Sequence, residues 1–140
     1  MKVKTLIALA IITLGACSGL KKMGLEESGL SDYYFQKYIG GTEASGINAV
    51  YFIRMEADSE AQVDSLVVEG LSTLKAESKK QGLYTMTTEL MSNDQASQIK
   101  FKQAKLYLHK GDCVFFVPLE NIPEKASIMM PSINGQQEPH

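Results

Sequence analysis

Between residues 47 and 56 the chain alternates. Ile47, Ala49, Tyr51, Ile53 and Met55 fall on one side, all apolar, while Asn48, Val50, Phe52, Arg54 and Glu56 fall on the other and turn polar toward the end. A period of two is that of a strand with one face against a core. Residues 83–91 repeat it, with Tyr84, Met86, Thr88 and Leu90 against Thr85, Thr87 and Glu89. Residues 99–108 do so with a shift between Phe101 and Ala104 that predicts a bulge around Gln103. His109-Lys110-Gly111-Asp112 turns the chain and residues 113–119 return, the clearest hairpin in the sequence. Lys100, Lys102 and Lys105 suit a solvent-facing strand that resists edge-to-edge pairing.

Shorter runs complete the pattern. Asp32 opens the aromatic stretch 33–39, which stops at Gly40-Gly41; residues 64–69 read as a strand closed by Gly70, and 71–78 as another. Ser92-Asn93-Asp94-Gln95 reads as a polar loop, residues 120–125 as a turn, and 126–131 as a short final strand. A helix over 60–80 competes, but Val67-Val68, Gly70 and Ser72-Thr73 break any apolar stripe at helical period. The prediction is all-β: a small antiparallel β-sandwich of about seven strands over residues 32–131, immunoglobulin-like in outline, with a flexible tail at 132–140. The chain has no Trp, so the Cys–Trp–Cys hallmark of true immunoglobulin domains is missing.

The amino terminus follows another logic. Met1-Lys2-Val3-Lys4 is a short positive region, residues 6–12 are apolar, and small residues precede Cys17. That is the layout of a cleaved secretory signal. Lys21-Lys22 brings charge in too early for a span, which needs roughly 20 apolar residues. An ordinary signal favours a small residue three before the cut, where Leu14 stands.

Leu14-Gly15-Ala16-Cys17 resembles the lipobox of bacterial lipoproteins. The resemblance implies signal-peptidase recognition through Leu14, Gly15 and Ala16, cleavage before Cys17, and acylation of Cys17 on its sulfur and new amino group. Residues 1–16 are then a lipoprotein signal peptide and 17–31, rich in Gly, Ser and charge, a flexible tether. Ser18 rather than Asp follows the cysteine, which by the same resemblance favours the outer over the inner membrane of the envelope. Residues 32–131 also resemble the small envelope lipoproteins common in Bacteroidetes. The likeness lies in Tyr38-Ile39-Gly40-Gly41 leading through Ser45-Gly46-Ile47-Asn48 into a tyrosine-bearing strand, in Asp64-Ser65-Leu66 before a glycine, and in the closing stretch 106–131. It implies location and fold class, and no activity.

Composition adds little to this. Fourteen Lys and Arg against 16 Asp and Glu give a net charge of −2; losing residues 1–16 removes Lys2 and Lys4 and no acid, leaving −4 on 124 residues. A mildly acidic domain of that size argues against nucleic acid as a partner and leaves the bilayer to be met through the lipid. With Cys17 acylated, the chain holds no second thiol with which Cys113 could close an internal disulfide, and Cys113 reads as a small buried hydrophobe.

Candidate chemistry is sparse. His109, Asp112 and Cys113 cluster in sequence, but a hairpin turn splays them to different faces, so they are read as neither a metal site nor a nucleophile pair. Asp64 reads as a turn or capping carboxylate. Residues 40–46 lack the Gly-Lys-Ser/Thr ending of a phosphate loop, and no Gly-x-Ser-x-Gly elbow occurs. No catalytic residue, metal or cofactor is expected. The function expected is a non-enzymatic accessory or interaction module with an envelope protein or glycan as partner. The alternative is a ligand-binding surface for glycan or peptide built on Tyr33, Tyr34, Tyr38 and Tyr51.

Overall fold

The computed structural model describes residues 19–40 and 46–129. Within them the chain forms β1 (Lys21–Lys22), β2 (Leu30–Ile39), β3 (Ile47–Met55), β4 (Gln62–Val67), β5 (Leu74–Lys75), β6 (Glu77–Lys80), β7 (Leu83–Thr87), α1 (Asn93–Ser97), β8 (Ala104–Lys110), β9 (Cys113–Leu119) and β10 (Glu124–Met129). One sheet has the order β1-β9-β8-β4-β5 and the other β10-β2-β3-β7-β6. The fold is an all-β sandwich, as the alternation requires. Ala49, Tyr51, Ile53 and Met55 of β3 meet Leu66, Leu106, Leu108 and Val117 of the facing sheet, all buried.

Several expectations need correction, each for a physical reason. The sheets are not antiparallel throughout: β1 runs parallel to β9 with Lys21 beside Phe115, and β10 runs parallel to β2 with Glu124 beside Phe35. A period of two fixes faces and says nothing about direction. Residues 71–78 are not one strand, because the chain leaves one sheet at Lys75 and joins the other at Glu77. The strand expected at 99–108 begins only at Ala104; Ile99 and Phe101 are loop residues folded into the core from above, Phe101 fully enough to be buried. The polar loop at 92–95 starts α1 instead. Ser92 Oγ accepts from Gln95 N at 3.2 Å while Ser92 N donates to Gln95 Oε1 at 3.0 Å, a reciprocal cap that a Ser-x-x-Gln spacing permits.

The flexible tether drawn over residues 17–31 is also too long. Lys21 and Lys22 lie along β9, Met23 is buried, and the Ser28 hydroxyl, buried too, donates to Leu25 O at 2.6 Å and accepts from Leu30 N at 3.2 Å. Residues 21–31 belong to the domain. The expected signal, lipidation site and tail (residues 1–16, Cys17 and 132–140) lie outside the described residues.

The connections fall at the two ends of the sandwich, with both two-residue turns at one and the sixteen-residue connection at the other. At one end are the turns 23–29, 56–61, 81–82 and 111–112. At the other are Gly40 and Gly46, and the links 68–73, 88–103 with α1, and 120–123. Because β1 runs parallel to β9 and starts two residues past the level of Cys113, the amino-terminal segment enters at the short-turn end.

A buried aromatic group joins the β2–β3 pair to the long loop. Phe35 lies 5.4 Å from Tyr51 and 5.7 Å from Phe101, centroid to centroid, and the Tyr51 hydroxyl donates to Phe101 O at 2.7 Å. Burial pushes the Tyr51 hydroxyl far above its ordinary pKa, and the charge of Glu124 adds in the same direction. Tyr51→Phe should cost about 1–3 kcal/mol in urea titration, since it orphans a buried carbonyl. Because the folded state holds this proton more tightly than the unfolded one, its contribution is present below about pH 10 and lost as pH rises further. The variant should therefore show a shallower alkaline loss of stability than the native chain.

Candidate functional site

Long loops on a rigid scaffold are where binding residues concentrate. A groove of about 590 Å³ lies at that end, between the 68–73 link, β5, the end of β7 and the 88–99 segment. Its shape depends on Gly70, at φ +94°, where a Cβ would stand 2.7 Å from Ile99 Cδ1. The turn there is closed by Leu71 N donating to Val68 O at 3.0 Å. Opposite, Ala96 anchors α1 in the core, setting Gln95, Gln98 and Ile99 along the wall. Leu90, 67% exposed, stands on the rim.

The lining is mostly neutral. Ser72, Thr73, Thr87 and Gln98 make no side-chain hydrogen bond to another described residue, whereas Gln95 and Thr88 are engaged in the helix cap and with Ala49 N. Lys75 and Glu89 are its only charged members, and it contains no histidine, cysteine or aromatic ring. The groove offers hydrogen bonds and aliphatic contact. A smaller recess of about 440 Å³ adjoins it around Phe35, Phe101 and Lys37, where Lys37 Nζ sits 4.9 Å over the Phe101 ring and 3.6 Å from Glu124.

The aromatics expected to form a surface are divided. Tyr51 is wholly buried, and Tyr33 is partly buried against the core, because both lie on inward positions of the β2–β3 ladder. Tyr34 and Tyr38 do lie on the outer face. Tyr34, however, stacks on Phe52 of β3 at 4.7 Å while Lys125 of β10 sits 4.1 Å over its ring, so neighbours on both sides cover it.

His109, Asp112 and Cys113 do not converge. His109 lies opposite Val114, Lys110 opposite Cys113, and Asp112 is in the turn. The His109 Nδ1 instead meets Asp64 Oδ1 at 2.6 Å across the β4–β8 pair. Asp64 is therefore neither a turn nor a capping residue: it lies within β4, at the register shift between Val63 and Ser65 that swings it toward His109. The spacing of the two residues in sequence gave no hint of this contact. Among the described residues no group of three or more His, Cys, Asp and Glu is placed to hold a metal ion.

Cys113 departs from expectation too. It is half-buried and disulfide-bonded. The chain has two cysteines, so an internal disulfide and a thioether at Cys17 exclude one another in any one molecule.

Comparison with known families, with curated proteins and with solved structures finds no match. The site therefore rests on its own geometry. Gly70→Ala should destabilise the chain by about 1 kcal/mol or more in urea titration, because the left-handed turn and the contact with Ile99 both resist a methyl group. Asp64→Asn, at a pair whose side chains are 35% and 39% exposed, should change it by less than about 1 kcal/mol.

Proposed function

We propose that this chain is a lipid-anchored bacterial envelope protein, held through Cys17, that works without catalysis as an interaction module and presents its long-loop end to a partner. The observation that carries the reading is the polarity of the fold: the amino-terminal segment enters at the short-turn end, and the groove lies at the other. Along β9 the two ends stand about 20 Å apart, at the usual rise per residue of a strand.

The anchor and the docked β1 act together. Only Ser18, Gly19 and Leu20 separate Cys17 from β1, a reach of about 10 Å when extended. Such a leash holds the short turns against the bilayer and turns the groove away from it. Each buried methylene of the lipid contributes about 0.8 kcal/mol, one chain holds marginally, and two or more hold stably. Among the described residues no helix is long and apolar enough to cross a membrane. Ser18 favours the outer membrane. A second reading, ligand capture on exposed aromatics, retains Tyr34 and Tyr38 alone, with Tyr34 largely covered.

Intact mass, membrane fractionation and non-reducing electrophoresis of the native chain beside Cys17→Ala test the proposal. The native chain should carry acyl mass and sediment with membranes, and the variant should lose both. A native chain that is soluble, unacylated and internally disulfide-bonded would overturn it.

A further inference from the structure

We infer that the outward face of the β1-β9-β8-β4-β5 sheet binds an acidic polysaccharide, a chain of sugars that carry carboxylates. This surface is separate from the groove.

The strand registers assemble it. Lys22 of β1 pairs with Phe116 of β9, Phe116 with Tyr107 of β8, Tyr107 with Ser65 of β4, and Ser65 with Lys75 of β5. These five residues form one row across the whole sheet. Their neighbours along the strands, Val117, Leu106, Leu108 and Leu66, are buried, so the period of two turns the row outward. With adjacent strands about 4.8 Å apart, the two lysines stand about 19 Å from one another, one at each edge.

The charge on this face is of one sign. Strands β1, β8 and β9 together hold four lysines, a histidine and no carboxylate, in a chain whose net charge is −2. Lys22, Lys75 and Lys105 are exposed, and none of them makes an ion pair with a described residue. Lys105 lays its stem across Phe116, with Nζ 5.5 Å from the ring centroid, which brings a third ammonium group to the middle of the face. Asp64 is the one acid on the five strands of this sheet, and His109 Nδ1 already engages it at 2.6 Å. An anionic partner therefore meets three cations and, on these strands, no carboxylate without a partner.

The class of anion follows from what lies between the lysines. Strands β9, β8 and β4 are paired on both sides, so their backbone groups are taken and a peptide finds no ladder to join. The side chains offer instead the half-buried ring of Tyr107, tilted 32° to Phe116 at 6.1 Å, and polar groups of Ser65, Tyr107 and Gln62 that make no hydrogen bond with another described residue. A ring to stack on and unengaged polar groups beside it suit a sugar and its hydroxyls. Nucleic acid fits less well, because three lysines neutralise few phosphates and the chain as a whole is acidic. Under the proposed anchor the strands rise from the bilayer and the row lies parallel to it, as does a polymer layered on a membrane. That orientation rests on the anchor; the row does not.

The test measures binding of the full chain, detergent-solubilised, to hexagalacturonate, with maltohexaose as the neutral control and decaglutamate and an oligothymidylate as other polyanions. Hexagalacturonate should bind saturably, more weakly as salt is raised, and should shift the amide signals of Ser65, Tyr107 and Phe116 in an NMR titration; maltohexaose should not bind. Lys22→Gln, Lys75→Gln and Lys105→Gln should each weaken binding by about two- to fivefold with the melting temperature unchanged, the scale of an exposed ion pair. Tyr107→Val, which keeps a strand-forming residue in the row, should weaken it by about fivefold. No binding of hexagalacturonate, equal binding of maltohexaose, equal or tighter binding of decaglutamate or the oligothymidylate, or native affinity in the triple lysine variant would overturn the inference. None of these outcomes depends on whether Cys17 is acylated, so the anchor and this surface can fail separately.

Discussion

The hydrogen bond from the Tyr51 hydroxyl to Phe101 O is the contact on which the rest of the architecture depends. A sandwich of two sheets is held by non-directional burial, which specifies which residues go inside but not where a sixteen-residue connection between β7 and β8 should lie. Phe101 settles that. Its ring fills the space beside Phe35, and its carbonyl takes the one polar atom that Tyr51 carries into the core. Leaving either group unmet in an apolar interior costs far more than the bond itself contributes, so the loop has a single good position. Once Phe101 is set, Ile99 and Gln98 just before it become a wall of the groove, and Lys102 O receives Ile122 N, which fixes the link to β10.

The same end-to-end asymmetry follows from the topology. Two antiparallel pairs are joined by two-residue turns at the near end, whereas the longest connection, 88–103, lies at the far one. The 23–29 and 56–61 links both cross between sheets at the near end, joined there by Glu56 N donating to Gly29 O, with the Ser59 hydroxyl accepting from Ala61 N. The near end is consequently tight and plain, and the far end has relief. β1 pairs along β9, so the first described strand lies against the sheet and enters from the near end.

The parts of the fold that the chain announces in advance are those where one face is buried and the other is wet. The inward set of β3, the β8–β9 hairpin and the turn at Gly111 all follow from alternation and turn chemistry, because a slip by one residue would carry Tyr51 and Ile53 into water. What could not be read was of three kinds. The parallel edge strands β1 and β10 have no alternation to betray them, being wholly exposed. Ile99 and Phe101 look like strand residues because they are apolar and two apart, yet they enter the core from a loop. The groove is made by a failure of pairing, the departure of the chain at Ala76 before Lys75 can meet Thr87, and no local pattern encodes an absent ladder. Tyr51 is the instructive misreading among candidate site residues. It belongs to the inward set by its own alternation, and an aromatic ring on that set packs in the core; a ligand-facing role would have required it to sit on the other phase, with Phe52.

The two cysteines impose a constraint of a different sort, chemical rather than geometric. The resemblance of Leu14-Gly15-Ala16-Cys17 to a lipobox assigns the sulfur of Cys17 to a thioether, and the disulfide at Cys113 calls for a second sulfur. A chain with two cysteines cannot satisfy both from within itself. The proposed acyl transfer would need a free thiol at Cys17, while a disulfide to residue 113 needs an oxidant to remove the electrons. Order of events would therefore decide the outcome: acylation first would commit Cys17 to the membrane, whereas oxidation first would block the proposed anchor for as long as the bond lasts. A disulfide stabilises chiefly by restricting the unfolded chain. Were the proposed acylation to hold, an internal bond's contribution would be absent, and stability would rest on the buried face of the sandwich and the docking of Met23 and Ser28.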